Sequence, residues 1–149
     1  MIAAARRLDD DTADAVAALI AAATESDRVA PVSEQGVLRL RADGDGRSRH
    51  LVARDGQKLT GYAQLDVDGS AAELVVHPIH RRRGVGRTMV DRLIGEAHGT
   101  ELRVWAHGDL PAAAALATAT GFTRGRSLWK MVRPLTVPLP QPRVPDGVV

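Results

Sequence analysis

The chain lacks cysteine altogether and has few aromatic residues. Without a thiol it can form no disulfide, thiolate metal site or iron–sulfur cluster, and no cysteine can act as a nucleophile. Aromatic residues make up 3% of the sequence, and 18 acidic residues nearly balance 20 basic ones. A chain with neither an aromatic stacking platform nor a strong basic excess is a poor candidate for nucleic-acid binding. We therefore expect no nucleic-acid partner.

Long apolar runs are also absent. No stretch approaches the roughly 20 residues of a membrane span, and residues 1–11 lack the continuous apolar centre of a signal peptide. The 149 residues suit one domain. We therefore expect a cytoplasmic protein without membrane contact. The 18 arginines, against two lysines, and the 24 alanines are typical of a GC-rich genome and carry no functional meaning by themselves.

Periodicity predicts an alternation of helices and strands. Carboxylates precede an apolar helical pattern near the N-terminus, and Ser33 can cap a second, shorter helix. Asp-Gly pairs at 55–56 and 68–69 separate three β-type runs, which predicts an antiparallel meander. The predicted helices are 9–24, a short one from residue 33, 85–97 and 110–120; the predicted strands are 50–54, 59–67, 71–77, 102–107 and 122–132, with a loop at 42–49.

Some side chains have predicted structural places. Val37, Leu38 and Leu40 are expected to form the apolar face of the short helix. Asp109 is expected to cap the helix that follows it. The two tryptophans, at 105 and 129, are expected in the core.

The composition changes after residue 133. Five of the eight prolines lie between Pro134 and Pro145, so an extended chain is expected there rather than a helix or a central strand. We predict a domain at 1–133 and a proline-rich linker at 134–149 that leads toward a second domain absent from this sequence.

The most informative segment is the strand at 71–77 with the arginine- and glycine-rich helix start behind it. A helix N-terminus presents unpaired N–H groups and a positive dipole, and glycines at 84 and 86 let a phosphate approach the backbone. Three consecutive arginines raise the local potential. A Walker loop does not fit because its Gly-Lys pair is missing, and a Rossmann loop does not fit because Met89 stands at its third glycine. A phosphorylated ligand is therefore expected, the alternative being a solvated loop before an ordinary helix.

The spacing Arg81-x-x-Gly84-x-Gly86 directly after a strand resembles the acetyl-CoA signature Q/R-x-x-G-x-G/A of the GNAT superfamily of N-acetyltransferases. The later strand, the helix and the Gly121-Phe122 pair fit the same pattern. The resemblance implies an α/β (α+β) fold with a mixed, mostly antiparallel sheet of six to seven strands and about four helices. It also implies acetyl-CoA as the co-substrate. No metal is expected, because the histidines have no nearby carboxylate ligand set in the sequence.

The resemblance also assigns the cofactor contacts. The backbone of one strand segment would hold the pantetheine arm where that strand splays from its neighbour at 102–107, and an amide near its end could polarise the thioester carbonyl. The loop behind it would wrap the diphosphate. The strand residues are Leu74, Val75 and Val76, and the loop residues are Arg81, Arg82, Arg83, Gly84, Val85 and Gly86.

Stretches outside the motif, among them 29–35, 72–78 and 105–108, resemble a two-domain member of this family. In that member the first domain holds acetyl-CoA and the transfer is assigned to the second. The resemblance implies a second GNAT domain as a partner, a small-molecule primary amine as the acceptor, and Glu34 as a contact to it. The usual acidic tyrosine is replaced by Ala117, so a non-catalytic acetyl-CoA-binding domain is the alternative function.

Glu73 is the candidate catalytic residue. It lies on the motif strand and could act as general base for an ammonium nucleophile, directly or through water. The alternative is a carboxylate at the rim of the sheet, paired with an arginine. For Glu34 the alternative is a carboxylate that only stabilises a helix N-terminus. His107 could carry a proton or be a hydrogen-bonded structural residue.

Overall fold

Five strands form one sheet in which the spatial order follows the chain order. The computed structural model describes residues 1–41, 46–68 and 70–132, together with 134 and 136. The strands are β1 (Ile2–Ala5), β2 (Ser48–Asp55), β3 (Lys58–Asp66), β4 (Ala71–Val76) and β5 (Arg103–Trp105). Neighbours are antiparallel from β1 to β4, whereas β5 runs parallel to β4. The predicted meander and the mixed character of the sheet are confirmed.

Four α-helices accompany the sheet in the described part of the chain. They are α1 (Asp10–Asp27), α2 (Glu34–Arg39), α3 (Val85–Glu96) and α4 (Pro111–Ala119). Asp9 caps α1 by accepting a hydrogen bond from the Thr12 N–H at 2.7 Å, and Ser33 Oγ caps α2 by accepting from the Gly36 N–H at 3.1 Å. Within the described residues, none of these helices has the length and apolar character to cross a membrane.

The sheet separates two apolar cores, because successive side chains on a strand point to opposite faces. On one face Tyr62 and Val75 pack among the buried side chains of α1, such as Val16. On the other face Leu65 packs among those of α3, such as Leu93. The alternation of side chains along β3 and β4 therefore gives one apolar face that packs against α1 and another that packs against α3.

The pairing of β4 with β5 stops early. It runs from Ala71 opposite Arg103 to Glu73 opposite Trp105, and the last three residues of β4 have no partner on β5. On its other side β4 stays paired with β3 as far as Val76. A cleft therefore opens between the ends of β4 and β5, and unpaired backbone groups of β4 face it.

The sheet has five strands in the described residues, so the prediction of six to seven is wrong. Residues 122–132 form no strand, and Leu128 and Trp129 are 65% and 85% exposed. Their β-type composition reports only a local preference, whereas a strand requires a paired neighbour. Conversely, β1 was not predicted because its three alanines carry no strand pattern, and residues 48–49 of the predicted loop belong to β2.

Several side chains also differ from their predicted places. Val37 and Leu38 are exposed, and only Leu40 of the expected apolar face is buried, because α2 turns the buried Gly36 toward the sheet. Asp109 does not cap α4, since its side chain accepts from Arg124 instead. Trp105 is 40% exposed, since β5 is the edge of the sheet. Residues 42–45 of the predicted loop, and all of the predicted linker 134–149 except residues 134 and 136, lie outside the described residues.

Candidate functional site

The glycine-rich loop brings the N-terminus of α3 to the mouth of the cleft. Gly84 begins the helix with φ +84°, a left-handed conformation that glycine adopts without strain. A Cβ at Gly84 would meet no atom within 4 Å, so the space in front of it is open. The first hydrogen bond of the helix runs from the Thr88 N–H to the Gly84 carbonyl at 3.1 Å. The N–H groups of residues 85–87 therefore have no acceptor within the helix. This end of α3 can accept an anion.

The predicted cofactor residues lie together around this helix end. Leu74 and Val76 are half-buried and Val75 is buried, while Arg82 and Arg83 are exposed. Val85 is half-buried at the first helical position. A Cβ at Gly86 would stand 3.2 Å from Leu116 Cδ2, so Gly86 allows α4 to approach closely. A cavity of about 280 Å³ opens beside the loop and is lined in part by Arg83 and Gly84.

Arg81, the first residue of the motif, is bound to protein groups. Its Nη1 and Nη2 donate to Asp27 Oδ1 and Oδ2, both at 2.7 Å, and its Nε donates to the Val76 carbonyl at 3.2 Å. Hydrogen bonding by Arg81, opposed by burial, holds the pKa of Asp27 below its usual value. Arg81 thus joins the end of α1 to the end of β4.

Glu73 lies at the last paired position before the cleft and is bound on both of its oxygens. Its Oε1 accepts from the Ser33 N–H at 3.0 Å and from His107 Nε2 at 2.9 Å, and its Oε2 accepts from the Ser33 hydroxyl at 3.2 Å. Burial by itself would raise the pKa of Glu73, but the hydrogen bonds from His107 and Ser33 outweigh it, and the pKa lies below its usual value. Glu73 is therefore an anion held by two other elements, rather than a carboxylate paired with an arginine.

A polar row crosses the sheet beside Glu73. His50 on β2, Gln64 on β3 and Glu73 on β4 are opposite one another in the strand register. Gln64 is 4% exposed, and its Oε1 has no hydrogen-bond partner among the described residues. A Cβ at Gly36 would lie 3.2 Å from that oxygen and 2.6 Å from Glu73 Oε2, so the missing side chain of Gly36 leaves room for both. The row leads from the core to the cleft.

The single tyrosine cannot replace the acid that is missing at Ala117. Tyr62 is fully buried and its hydroxyl lies 2.7 Å from His50 Nδ1. Burial, together with the charge of Glu73, raises the pKa of the Tyr62 hydroxyl well above its usual value. Ala117 lies on α4 near its C-terminus. Neither position offers a proton donor to the cleft.

Glu34 is exposed in the first turn of α2, next to the capping Ser33. Its place agrees with a helix N-terminal carboxylate and is also compatible with an acceptor contact. Sequence reasoning missed Asp27 and Ser33, whose partners are 54 and 40 residues away in the chain. The sequence offers no signal for Asp27, because the predicted first helix ends at residue 24, whereas α1 continues to Asp27 in the structure. Among the described residues, no three His, Asp or Glu side chains are grouped to hold a metal ion.

Comparison with known proteins agrees with this geometry. The family profile described as "Acetyltransferase (GNAT) domain" matches residues 46–124. The chain is 53% identical over 146 residues to a mycothiol acetyltransferase of Thermomonospora curvata, which covers 95% of this chain and 48% of the relative. It is 48% identical over 149 residues to that of Nocardia farcinica, covering 97% of this chain and 48% of the relative. The chain thus spans about half the length of these relatives.

A solved structure supports the fold. An acetyltransferase from Salmonella typhimurium, yncA, determined with its cofactor acetyl-CoA, superposes with a TM-score of 0.56 at 24% identity, over 82% of this chain and 79% of the other. The resemblance from the motif, the mixed α/β sheet that opens beside a glycine-capped helix, and the matching profile all agree. The chain belongs to the GNAT family of acetyltransferases.

Proposed function

We propose that this chain binds acetyl-CoA and serves the transfer of its acetyl group to a small-molecule primary amine. One observation carries the proposal: β4 and β5 part immediately before the open, glycine-capped end of α3. An extended ligand with an anionic portion fits a cleft of unpaired backbone groups that ends at a helix N-terminus. Exposed Arg82 and Arg83 add positive charge at the same end.

The cofactor would lie along this cleft. The backbone of Leu74, Val75 and Val76 would hold the pantetheine arm, and Arg81–Gly86 would surround the diphosphate, with the N–H groups of the first turn of α3 directed to it. An N–H near Val76 would stabilise the charge that develops on the carbonyl oxygen, a contribution of about 10²–10³ in rate at other acyl-transfer sites. When bound, acetyl-CoA supplies the thioester that the amine attacks.

The acceptor is proposed from the relatives. Both are named mycothiol acetyltransferase, also called mycothiol synthase, and we propose the cysteinyl amine of desacetylmycothiol as the acceptor and the cytoplasm as the location. Because the chain spans about half of each relative, a second GNAT domain is proposed as its partner. Exposed Glu34 at the start of α2 is proposed to contact the acceptor.

Glu73 is proposed as the base that removes a proton from the acceptor ammonium. Its Oε1 is occupied by the Ser33 N–H and His107, whereas its Oε2 accepts only the Ser33 hydroxyl within the described residues. A proton would therefore reach Oε2, directly or through water, or pass by way of His107. The carboxylate is ionised near neutral pH and can accept a proton, but its lowered pKa makes it a weaker base than an ordinary glutamate, so its contribution rests on its position beside the cleft.

Acetyl-CoA binding tests the proposal at Gly84. Asp and Asn both tolerate the left-handed backbone and have the same shape, so Gly84→Asp and Gly84→Asn differ in charge alone. Calorimetry should show that the wild type binds acetyl-CoA and that Gly84→Asp binds at least tenfold more weakly than Gly84→Asn, because a carboxylate repels the diphosphate. Equal affinities, or no binding by the wild type, would contradict the cofactor site.

The acceptor is tested by thiol release. With acetyl-CoA present, desacetylmycothiol should cause release of CoA thiol, whereas mycothiol, which lacks the free amine, serves as the matched control and should not. Release that is faster with an unrelated primary amine would contradict the proposed acceptor.

A further inference from the structure

The position of Asp27 is not explained by its own helix. It is the last residue of α1, a helix with no basic side chain in its last turn, and a carboxylate there faces the negative end of the helix dipole. Its side chain is nevertheless only 13% exposed. The following residue, Arg28, ends the helix in a left-handed conformation at φ +59°. A partner outside α1 therefore accounts for the position of this half-buried carboxylate.

Both oxygens of the Asp27 carboxylate accept hydrogen bonds from the motif arginine. Arg81 donates one hydrogen bond to each oxygen, both at 2.7 Å. This bidentate pairing is a strong, directional contact between a guanidinium and a carboxylate. The third bond of Arg81, from Nε to the Val76 carbonyl, uses a backbone group at the unpaired end of β4. Three of its five N–H groups are thus bound to protein, and Arg81 acts as a brace between α1 and the cleft.

The brace sets the direction of the loop that follows. Arg82 has φ +61° and Gly84 has φ +84°, so two left-handed residues lie between Arg81 and the first turn of α3. Arg82 adopts this conformation against its own preference, which requires fixed neighbours on both sides. On one side the neighbour is Arg81, held by Asp27. On the other side it is α3, held in the core by Met89 and Leu93.

We propose that Asp27 is a positioning residue for the acetyl-CoA site: through Arg81 it holds the loop in the conformation that presents the N–H groups of α3 to the diphosphate. This inference rests on the proposed function. Loss of the Asp27 charge should therefore weaken a ligand that Asp27 does not touch.

The test is a double-mutant cycle measured by calorimetry with acetyl-CoA. Asp27→Asn keeps the shape but loses the charge and one acceptor, and should raise the Kd of acetyl-CoA about tenfold or more. Arg81→Gln should have a similar effect. The combined variant should be no worse than either alone, because both remove the same brace. Asp14→Asn is the matched control. Asp14 also lies on α1, but its ion pair with Arg41 is exposed, so this variant should leave the Kd of acetyl-CoA unchanged.

A second readout separates positioning from general stability. Amide hydrogen exchange of residues 82–87 in the free protein should become faster in Asp27→Asn, at temperatures well below its unfolding transition, and should be unchanged in Asp14→Asn. A variant Asp27→Asn that unfolds earlier but binds acetyl-CoA as the wild type does would overturn the inference, as would additive effects in the cycle. Failure of the wild type to bind acetyl-CoA would instead contradict the proposed function.

Discussion

Glu73 is the residue at which the geometry of the cleft and the acid–base chemistry coincide. Three hydrogen bonds converge on its carboxylate, two from Ser33 and one from His107. Each favours the charged form, which is why the pKa falls despite burial. The same bonds connect the start of α2 and the 3-10 turn that follows β5 to β4. A substitution at Glu73 therefore has a chemical and a structural consequence, which must be measured separately.

The chemical consequence is a loss of turnover in Glu73→Gln. An amide cannot take the ammonium proton, so we expect kcat for CoA-thiol release to fall by about 10²–10⁴, while the Kd of acetyl-CoA changes little. Glu101→Gln, at an exposed position, is the control and should keep the wild-type kcat. If kcat of Glu73→Gln equals that of the wild type while its melting temperature falls, Glu73 is a structural anchor and not the base.

The structural consequence depends on pH. Because the pKa of Glu73 is lower in the folded protein than its usual value of 4.5, the ionised side chain stabilises the fold fully above that pH. This stabilisation is lost as the pH falls through the folded-state pKa. The difference in unfolding free energy between the wild type and Glu73→Gln should accordingly shrink below pH 4.5 in denaturant titrations. A difference that is constant with pH would show that the charge of Glu73 does not contribute.

At this scale the sequence predicts the elements that carry the proposed site residues. Glu73 and the glycines at 84 and 86 belong to one continuous strand–loop–helix pattern, and the structure has that strand and that helix. Asp27 and Ser33 were not predictable, because their partners are 54 and 40 residues distant and only the packing of α1 and α2 on the sheet brings them together.

At the scale of elements, α2 lies unusually close to the sheet because of one residue. A Cβ at Gly36 would stand 2.5 Å from Val32 Cγ1 and 2.6 Å from Glu73 Oε2. Such distances do not occur between unstrained atoms, so a side chain at residue 36 would displace the Val32 and Glu73 side chains or α2 itself. Either displacement would disturb the hydrogen bonds from Ser33 to Glu73.

Gly36→Ala should therefore destabilise the protein, although alanine is ordinarily preferred over glycine within a helix. Alanine is favoured over glycine in a helix by about 1 kcal/mol, but overpacking costs about 1–3 kcal/mol, so we expect a net loss of about 1 kcal/mol. Gly95→Ala in α3 is the matched control, because its Cβ meets nothing within 4 Å and should stabilise the fold. Thermal unfolding of both variants measures the difference, and a higher melting temperature for Gly36→Ala would refute the close contact.

Elements with strong local signals were predicted, whereas β1 and the unpaired state of residues 122–132 were not. The capped helices and the strands joined by Asp-Gly pairs carry their own signals, and α1 to α4 and β2 to β4 are found where expected. β1 is an alanine-rich edge strand that exists because it pairs with β2. Residues 122–132 have strand-like composition but no paired strand in the part of the chain that the structure describes. Pairing across the sheet is not encoded in a short window, so the sequence does not predict which strand-like segments find a partner.

At the scale of the whole molecule, the sheet carries a polar row through an otherwise apolar interior. His50 lies 2% exposed in this row, between the N-terminal strand and β3, with the Tyr62 hydroxyl beside it. Burial lowers the pKa of His50 below its usual 6.5, so the folded protein favours the neutral ring. Protonation of His50, which belongs to the polar row beside the proposed base, should therefore destabilise the folded protein at low pH.

The sign of this effect follows from proton linkage. Below pH 6.5 the unfolded chain binds a proton at His50 that the folded protein resists, so the unfolding free energy falls as the pH falls toward the folded-state pKa, by at most about 1.4 kcal/mol per pH unit for this one site. Urea titrations of the wild type and His50→Gln at pH 7.5, 6.5 and 5.5 isolate the contribution, because the other histidines are common to both. The wild type should lose more stability than His50→Gln over this range. Parallel curves would mean that His50 is protonated equally in both states, and that the polar row is open to water.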